Sequence, residues 1–400
     1  MTNPHEQQFG SDITIFAKTT FRDKQVPFGI KRRDRLAHLY VIGKTGTGKS
    51  TLLETLISDD LRKGYGCALL DPHGDLVKEI YRKALDLRRD DLLYFDAPNQ
   101  HQPFGFNPLA SVTLEKRPLA ASGILQVFKH LWQESWGPRL EHILRNCLLA
   151  LLDYPNATLA DILPLLSEKK FRLQVAEYLT NSQVKDFWLK EYENYPVRLR
   201  AEAISPIQNK VGAFLSNPIL KRILTEPKYP LKLRQIMDEG KVLLVNLAKG
   251  SLGEDTANLL GSLLISRFDL AALSRANVPE DKRNPFYLYA DEFHNFTTES
   301  LSQMLSENRK YGLALTLVQQ YLSQVSQSIR DGIIGNVGTI ISFRIGTTDA
   351  EILAPEFAPE INSTDLLNLP NHHIYLKMMV DGVVTKPFSA VTVKSDNPPD

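Results

Sequence analysis

Residues 43–50 read GKTGTGKS, a G-x-x-x-x-G-K-[ST] loop in which each residue type has a task in holding phosphate. Glycines at 43, 46 and 48 permit backbone angles that turn successive N–H groups inward, so phosphate oxygens can sit among Gly43, Thr45, Gly46, Thr47, Gly48 and Thr51. Lys49 would reach the β and γ phosphates, and the Ser50 hydroxyl would ligate Mg²⁺. The expected cofactors are therefore ATP and Mg²⁺. A second run, FYLYADE at 286–292, is an apolar strand ending in two carboxylates. At its tip Asp291 would hold Mg²⁺ through water and Glu292 would orient and polarise an attacking water. The loop alone implies nucleotide binding; the paired carboxylates imply hydrolysis.

Three further groups could serve the same chemistry. ALTLVQQ at 314–320 delivers two glutamines at a strand end; Gln320 is the candidate γ-phosphate sensor, and Gln319 is the alternative because one register step exchanges their faces. Arg309 in SENRKYG and Arg344 in SFRIG are candidates for a cation that stabilises the transition state, supplied in trans if the site lies between subunits. Each is equally readable as a solvated surface arginine. Asp71 and His73 in LLDPHGDL end another strand, where D-P-x-G is also ordinary turn chemistry.

These residues need strands to deliver them. LYVI at 39–42 is apolar at consecutive positions, as in a parallel sheet covered on both faces, and predicts a strand leading into the loop. Leu52, Leu53, Leu56 and Ile57 at helical spacing predict a helix over 50–61, and CALL at 67–70 the next strand, making a βαβ unit. A strand is also expected at 92–95. From about 114 to 224 the apolar period becomes helical, with Trp136, Leu140, Ile143, Leu144, Cys147, Leu148 and Leu151 on one core-facing stripe and prolines cutting the segment into short helices. Strand signals return at 242–247, 286–290, 314–318, 339–345 and 373–379, alternating with helices at 256–274 and 300–311. The expected fold class is α/β: a RecA-like P-loop NTPase core, a mainly parallel sheet with flanking helices, interrupted by an inserted all-α domain. The expected boundaries are an N-terminal extension at 1–30, the first part of the core at 31–110, the helical insertion at 111–235, the second part of the core at 236–392 and a polar tail at 393–400.

Composition narrows the class. With 400 residues, 43% hydrophobic and 23% charged, the chain is neither a stapled miniprotein nor disordered. Lys plus Arg number 47 against 46 for Asp plus Glu, so any nucleic-acid contact must come from a local basic surface rather than bulk charge. The two cysteines, Cys67 and Cys147, sit in apolar runs, which fits buried thiols in a reducing cytoplasm. No signal-peptide pattern and no span of about 18 apolar residues is expected to anchor the chain in a membrane.

In order, GKTGTGKSTLL, LLDPHGDL, FNPL, WGPRLEHILRN, AISPIQNKVGAFLSNP, YADEFHNF, RKYGLALTLVQQYLSQ and NVGTIISFRIGTTDAE run over about residues 28–355. This succession resembles the HerA/FtsK branch of P-loop ATPases, most closely the conjugative coupling-protein and type IV secretion DNA-binding ATPase family. The resemblance implies hexameric rings that hydrolyse ATP between subunits and pull DNA through a central channel. It carries over Lys49, Ser50, Asp291 and Glu292 in the roles above, Gln320 as polar sensor and Arg309 as a trans arginine finger. Typical relatives carry N-terminal transmembrane helices or a β-barrel, for which the first 30 residues leave no room, so inner-membrane docking would fall to a membrane-anchored secretion or relaxosome partner. Sequence-independent DNA binding is expected, with Phe293–Gln303 as a pore element acting through Asn295, Thr297, Thr298 and backbone amides. Two alternatives stand beside this: an ATPase that energises secretion without threading DNA, and a nucleotide-switched scaffold.

Overall fold

Runs of consecutive apolar residues become strands buried on both faces. The computed structural model describes residues 12–20 and 25–394, which divide into two compact units. The first comprises Met1–Tyr94, Arg234–Leu247 and Ala272–Asp400, and the second Phe95–Leu233 and Ala248–Ala271.

In chain order the main sheet contains β1 (Ile13–Thr19), β2 (Pro27–Lys31), β3 (Leu39–Ile42), β4 (Gly66–Asp71), β5 (Leu92–Asp96), β6 (Val242–Asn246), β7 (Phe286–Ala290), β8 (Leu313–Gln319), β9 (Thr339–Ser342), β10 (His373–Lys377) and β11 (Phe388–Thr392). Their spatial order is β2-β1-β11-β10-β9-β3-β8-β7-β4-β6-β5. The pairs from β9 through β3, β8, β7 and β4 to β6 are parallel, and those from β9 through β10, β11 and β1 to β2 are antiparallel. Every residue of β3, β4, β6, β7, β8 and β9 is buried, whereas β10 alternates, as expected when helices cover both faces of a parallel block.

Helix α1 (Lys49–Arg62) follows β3 and helix α2 (Asp75–Leu87) follows β4. The strand-helix-strand run expected from 39 to 70 exists, but β8 and β7 lie between its two strands, so α1 carries the chain across the sheet instead of to a neighbour. The expected strand at 339–345 ends at Ser342, because Phe343 and Arg344 turn aside to the 43–50 loop. The expected helix at 300–311 is an α-helix over Leu301–Glu307 and a 3₁₀ turn over Asn308–Tyr311, closed by Gly312 at φ 75°.

No strand was expected before Leu39, yet β1 and β2 extend the sheet, with Ala17 paired to Thr392. Val393 N continues the contact by donating to Phe16 O. Residues 1–11 and 21–24 of the expected extension and 395–400 of the expected tail lie outside the described residues.

A buried polar cluster ties α1 to β7. Arg35 Nη1 and Nη2 donate to the two carboxylate oxygens of Asp60 at 2.5 and 3.0 Å, Tyr289 Oη donates to Asp60 Oδ2 at 2.5 Å, and the guanidinium lies 3.6 Å from the Tyr287 ring centroid. Burial raises the Asp60 carboxyl, and Arg35 opposes the rise.

The second unit is helical, with helices at Arg117–Leu131, Pro138–Asp153 and Val197–Ser216 among others. The stripe from Leu140 to Leu151 is buried as its spacing requires. Trp136 precedes its helix and instead donates its indole N–H to Glu141 Oε2 at 2.8 Å.

Candidate nucleotide and catalytic site

The 43–50 loop leaves the sheet at the C-terminal end of β3, the end at which open α/β sheets carry ligand crevices. Its neighbours pin it from both sides: Gly43 N donates to Gln319 O at the end of β8, and Lys44 N donates to Arg344 O after β9. Thr47 Oγ1 braces it internally by donating to Lys44 O at 2.7 Å. Two glycines are required for different reasons. A Cβ at Gly43 would stand 2.6 Å from Phe343 Cβ, and Gly48 has φ 121°. Lys49 Nζ arches back over the loop and donates to Gly43 O at 2.5 Å and Lys44 O at 3.1 Å. Burial lowers the Lys49 ammonium, while Glu292 and Asp291 work against that. Ser50 is exposed on the first turn of α1.

The carboxylates arrive on β7. Asp291 N donates to Leu70 O, which aligns Asp291 with Asp71 at the tips of adjacent strands. Glu292 then takes a left-handed conformation, φ 44° and ψ 49°, which is uncommon for this residue type and marks a constrained turn. Burial pushes the Asp291 carboxyl up to about 7, the charges of Asp71 and Glu292 push the same way, and Lys49 opposes them. Asp71 spends both oxygens on backbone, accepting from His73 N at 2.8 Å and Val77 N at 2.9 Å, so it caps the turn into α2. His73 points its side chain to solvent.

This arrangement fits a hard divalent cation. Ser50 and Asp291 would supply oxygen donors alongside those of a nucleotide, and the crowded carboxylates would gain from a positive charge. Glu292 Oε2 is buried without a hydrogen-bond partner. Among the described residues no group of three or more His, Cys, Asp or Glu forms a metal site by itself.

The two glutamines separate cleanly. Gln320 Nε2 donates to Glu292 Oε1 at 2.8 Å, and Thr45 Oγ1 donates to Gln320 Oε1 at 2.9 Å, so one carboxamide bridges the loop and the carboxylate. Gln319 is fully buried and donates instead to Tyr40 Oη at 2.5 Å.

The arginines also separate. Arg344 follows β9 beside the loop, but its guanidinium donates to Leu369 O and Asn371 Oδ1, both at 3.1 Å. Arg309 is exposed just before β8, whereas Gln320 follows that strand; seven strand residues at about 3.3 Å each put the two roughly 23 Å apart along it. Arg309 is thus remote from its own chain's loop.

The expected pore element is contradicted. Asn295, Thr297 and Thr298 are buried: Asn295 Nδ2 donates to Glu292 O, Thr297 Oγ1 to His294 O, and Thr298 Oγ1 bonds with Ser300 Oγ. The aromatic residues Phe293 and Phe296 draw the segment inward.

Two features escaped the sequence. His294 Nδ1 lies 3.5 Å from Glu292 Oε2. The segment 369–373 closes against the loop, with His372 N donating to Thr47 O at 2.8 Å. The adjacent histidines of LPNHH were a signal without a spacing to interpret it.

The family described as the central domain of helicase HerA matches residues 19–268. The chain belongs to this family. It thereby joins the HerA/FtsK superfamily of P-loop ATPases, and solved structures agree on the RecA-like fold. The unbound bacterial conjugative coupling protein TrwBdeltaN70 is 19% identical with a TM-score of 0.62, over 92% of this chain and 87% of that one. The plasmid coupling protein TrwB in complex with ADP and Mg²⁺ is 18% identical with a TM-score of 0.63, over 92% and 88%. VirB4 of Thermoanaerobacter pseudethanolicus is 14% identical with a TM-score of 0.63, over 97% of both chains. No curated protein sequence matches the chain. In this HerA-family chain, no helix among the described residues is long and apolar enough to cross a membrane.

Proposed function

We propose that this chain is an ATP-driven DNA translocase that works as a ring, hydrolysing ATP between subunits. The observation that carries the reading is the bridge from Thr45 through Gln320 to Glu292, because it joins the phosphate loop, the sensor and the base into one constellation at the sheet's C-terminal edge. Lys49 and the loop amides hold the phosphates, and Glu292 orients water and takes its proton. Mg²⁺, held by Ser50 and by Asp291 through water, would neutralise phosphate charge. TrwB, which shares this fold at low identity, has been solved with GTP and ATP analogues as well as ADP and Mg²⁺.

Arg309 supports the ring. A finger this far from its own loop would have to act on a neighbour's nucleotide. The helical domain, proposed at 111–235, would serve partner or DNA contacts. DNA transfer is the part of this proposal supported by membership of the HerA family, and coupling proteins share the fold. Through a membrane-anchored secretion or relaxosome partner the ring would dock at the inner membrane.

The test is ATP turnover with and without single- and double-stranded DNA over a salt series. Turnover should rise with DNA and lose that stimulation steeply with salt, as counterion release requires. An assembled ring indifferent to saturating DNA at low salt would replace this reading with an ATPase that energises secretion.

A further inference from the structure

His372 stands against Thr47 and Gly48 of the phosphate loop. This argument rests on the nucleotide site proposed above. In the sheet, β3 lies between β8 and β9. Glu292 and Gln320 approach the loop from the β8 and β7 side, and Lys49 joins them through the coulombic influence of both carboxylates. A γ phosphate must face this hydrolytic group, so the phosphate chain runs away from it, toward β9 and β10. Phe343, Arg344 and the 369–373 segment stand on that side.

The segment is built onto the loop, not merely near it. His372 N donates to Thr47 O, while His372 O accepts from both Thr392 N at 2.9 Å and Thr392 Oγ1 at 3.2 Å. Two elements therefore hold His372 at φ 66°, a left-handed conformation uncommon for a non-glycine residue. Arg344 anchors the approach through Leu369 O and Asn371 Oδ1. The held residue is exposed, and its ring reaches the loop: Nδ1 is 2.8 Å from the position a Cβ would take on Gly48. A larger residue at 48 would collide with this ring and with Phe343 Cε1 at 3.1 Å.

We propose that His372 binds the nucleoside end of the nucleotide, packing its imidazole against the ribose and base, and that Arg344 is the positioning residue that holds its segment in place. A planar ring beside the loop offers a stacking face to any base, which makes the contact one of affinity and not of base identity. It also gives Arg344 a task in its own chain.

The test compares Mg-ATP with Mg-tripolyphosphate, which has the phosphates and no nucleoside, by calorimetry on the full chain and on His372→Asn. Asparagine tolerates the left-handed backbone and removes the ring. The variant should bind ATP about tenfold more weakly, as loss of one stacking contact implies, and tripolyphosphate as well as wild type does. Unchanged ATP affinity, or equal loss for both ligands, overturns the inference while leaving the nucleotide site standing. Failure of wild type to bind either ligand overturns the site reading and this inference together. Should the variant not fold, photolabelling wild type with 8-azido-ATP decides: label within residues 369–373 supports the inference, and label confined elsewhere overturns it.

Discussion

At the scale of single residues, adjacent glutamines have opposite employments. Gln320 touches Thr45 and Glu292, so Gln320→Ala should lower kcat by roughly tenfold or more while changing nucleotide Kd far less, the pattern of a lost transition-state contact. Gln319 touches Tyr40 in the core, so Gln319→Ala should instead cost about 1–3 kcal/mol of stability by stranding a buried hydroxyl, with kcat per folded molecule unchanged. Single-turnover kinetics and urea denaturation of the two variants separate these effects. Glu292→Gln should retain nucleotide binding and lose turnover by about 10²-fold or more, because a positioned base is gone. Equal turnover in the variant and wild type would remove Glu292 from the base role.

At the scale of elements, two buried groups hold the site-bearing strands together. The Arg35–Asp60–Tyr289 cluster joins the turn before β3, α1 and β7, so Asp60→Ala leaves a buried guanidinium unpaired and should destabilise by about 3–5 kcal/mol. His38 joins β3 to the segments around β8: its Nδ1 accepts from Leu315 N, so Nε2 carries the proton and donates to Leu305 O. Burial pushes its pKa down from 6.5 to about 4, against the Leu305 hydrogen bond and with help from Arg309. The unfolded imidazole takes up its proton below pH 6.5 and the folded one only near 4. Its contribution is therefore complete above pH 6.5 and is lost as pH falls toward 4, about 3 kcal/mol in all. Relative to wild type, His38→Gln should flatten the fall in stability between those limits, measured by urea denaturation at stepped pH. Parallel slopes would assign the acid sensitivity elsewhere.

At the scale of the whole molecule, Arg309 and Gln320 stand at opposite ends of β8, so the proposed finger role of Arg309 requires a neighbouring chain's site. Activity should therefore rise steeply with protein concentration. Mixing inactive Lys49→Ala with inactive Arg309→Ala should restore part of the turnover, since an intact lysine can then face an intact arginine across an interface. Mixed rings that never exceed either parent would exclude Arg309 as a trans contributor.

The sequence by itself determined the parts whose information is local. GKTGTGKS between an apolar strand and a helix, and DE at the end of FYLYA, are contiguous patterns in which residue type, backbone freedom and position along an element coincide, and the structure puts both at the C-terminal edge of the sheet. Consecutive apolar runs likewise marked the buried parallel strands. What needed the tertiary structure was everything decided between distant segments. Which glutamine faces Glu292 depends on the register of β8 against β3, and a one-residue slip would exchange them. The insertion of β8 and β7 between β3 and β4, and the pairing of β1 with β11 across nearly the whole chain, follow from long-range packing that no local period encodes. The stretch after Glu292 read as a pore loop because it leaves the catalytic strand directly, yet burial of Phe293 and Phe296 carried its polar side chains inside. His372 was silent for the same reason, since its place beside Gly48 exists only once β10 and β11 have closed the antiparallel side of the sheet.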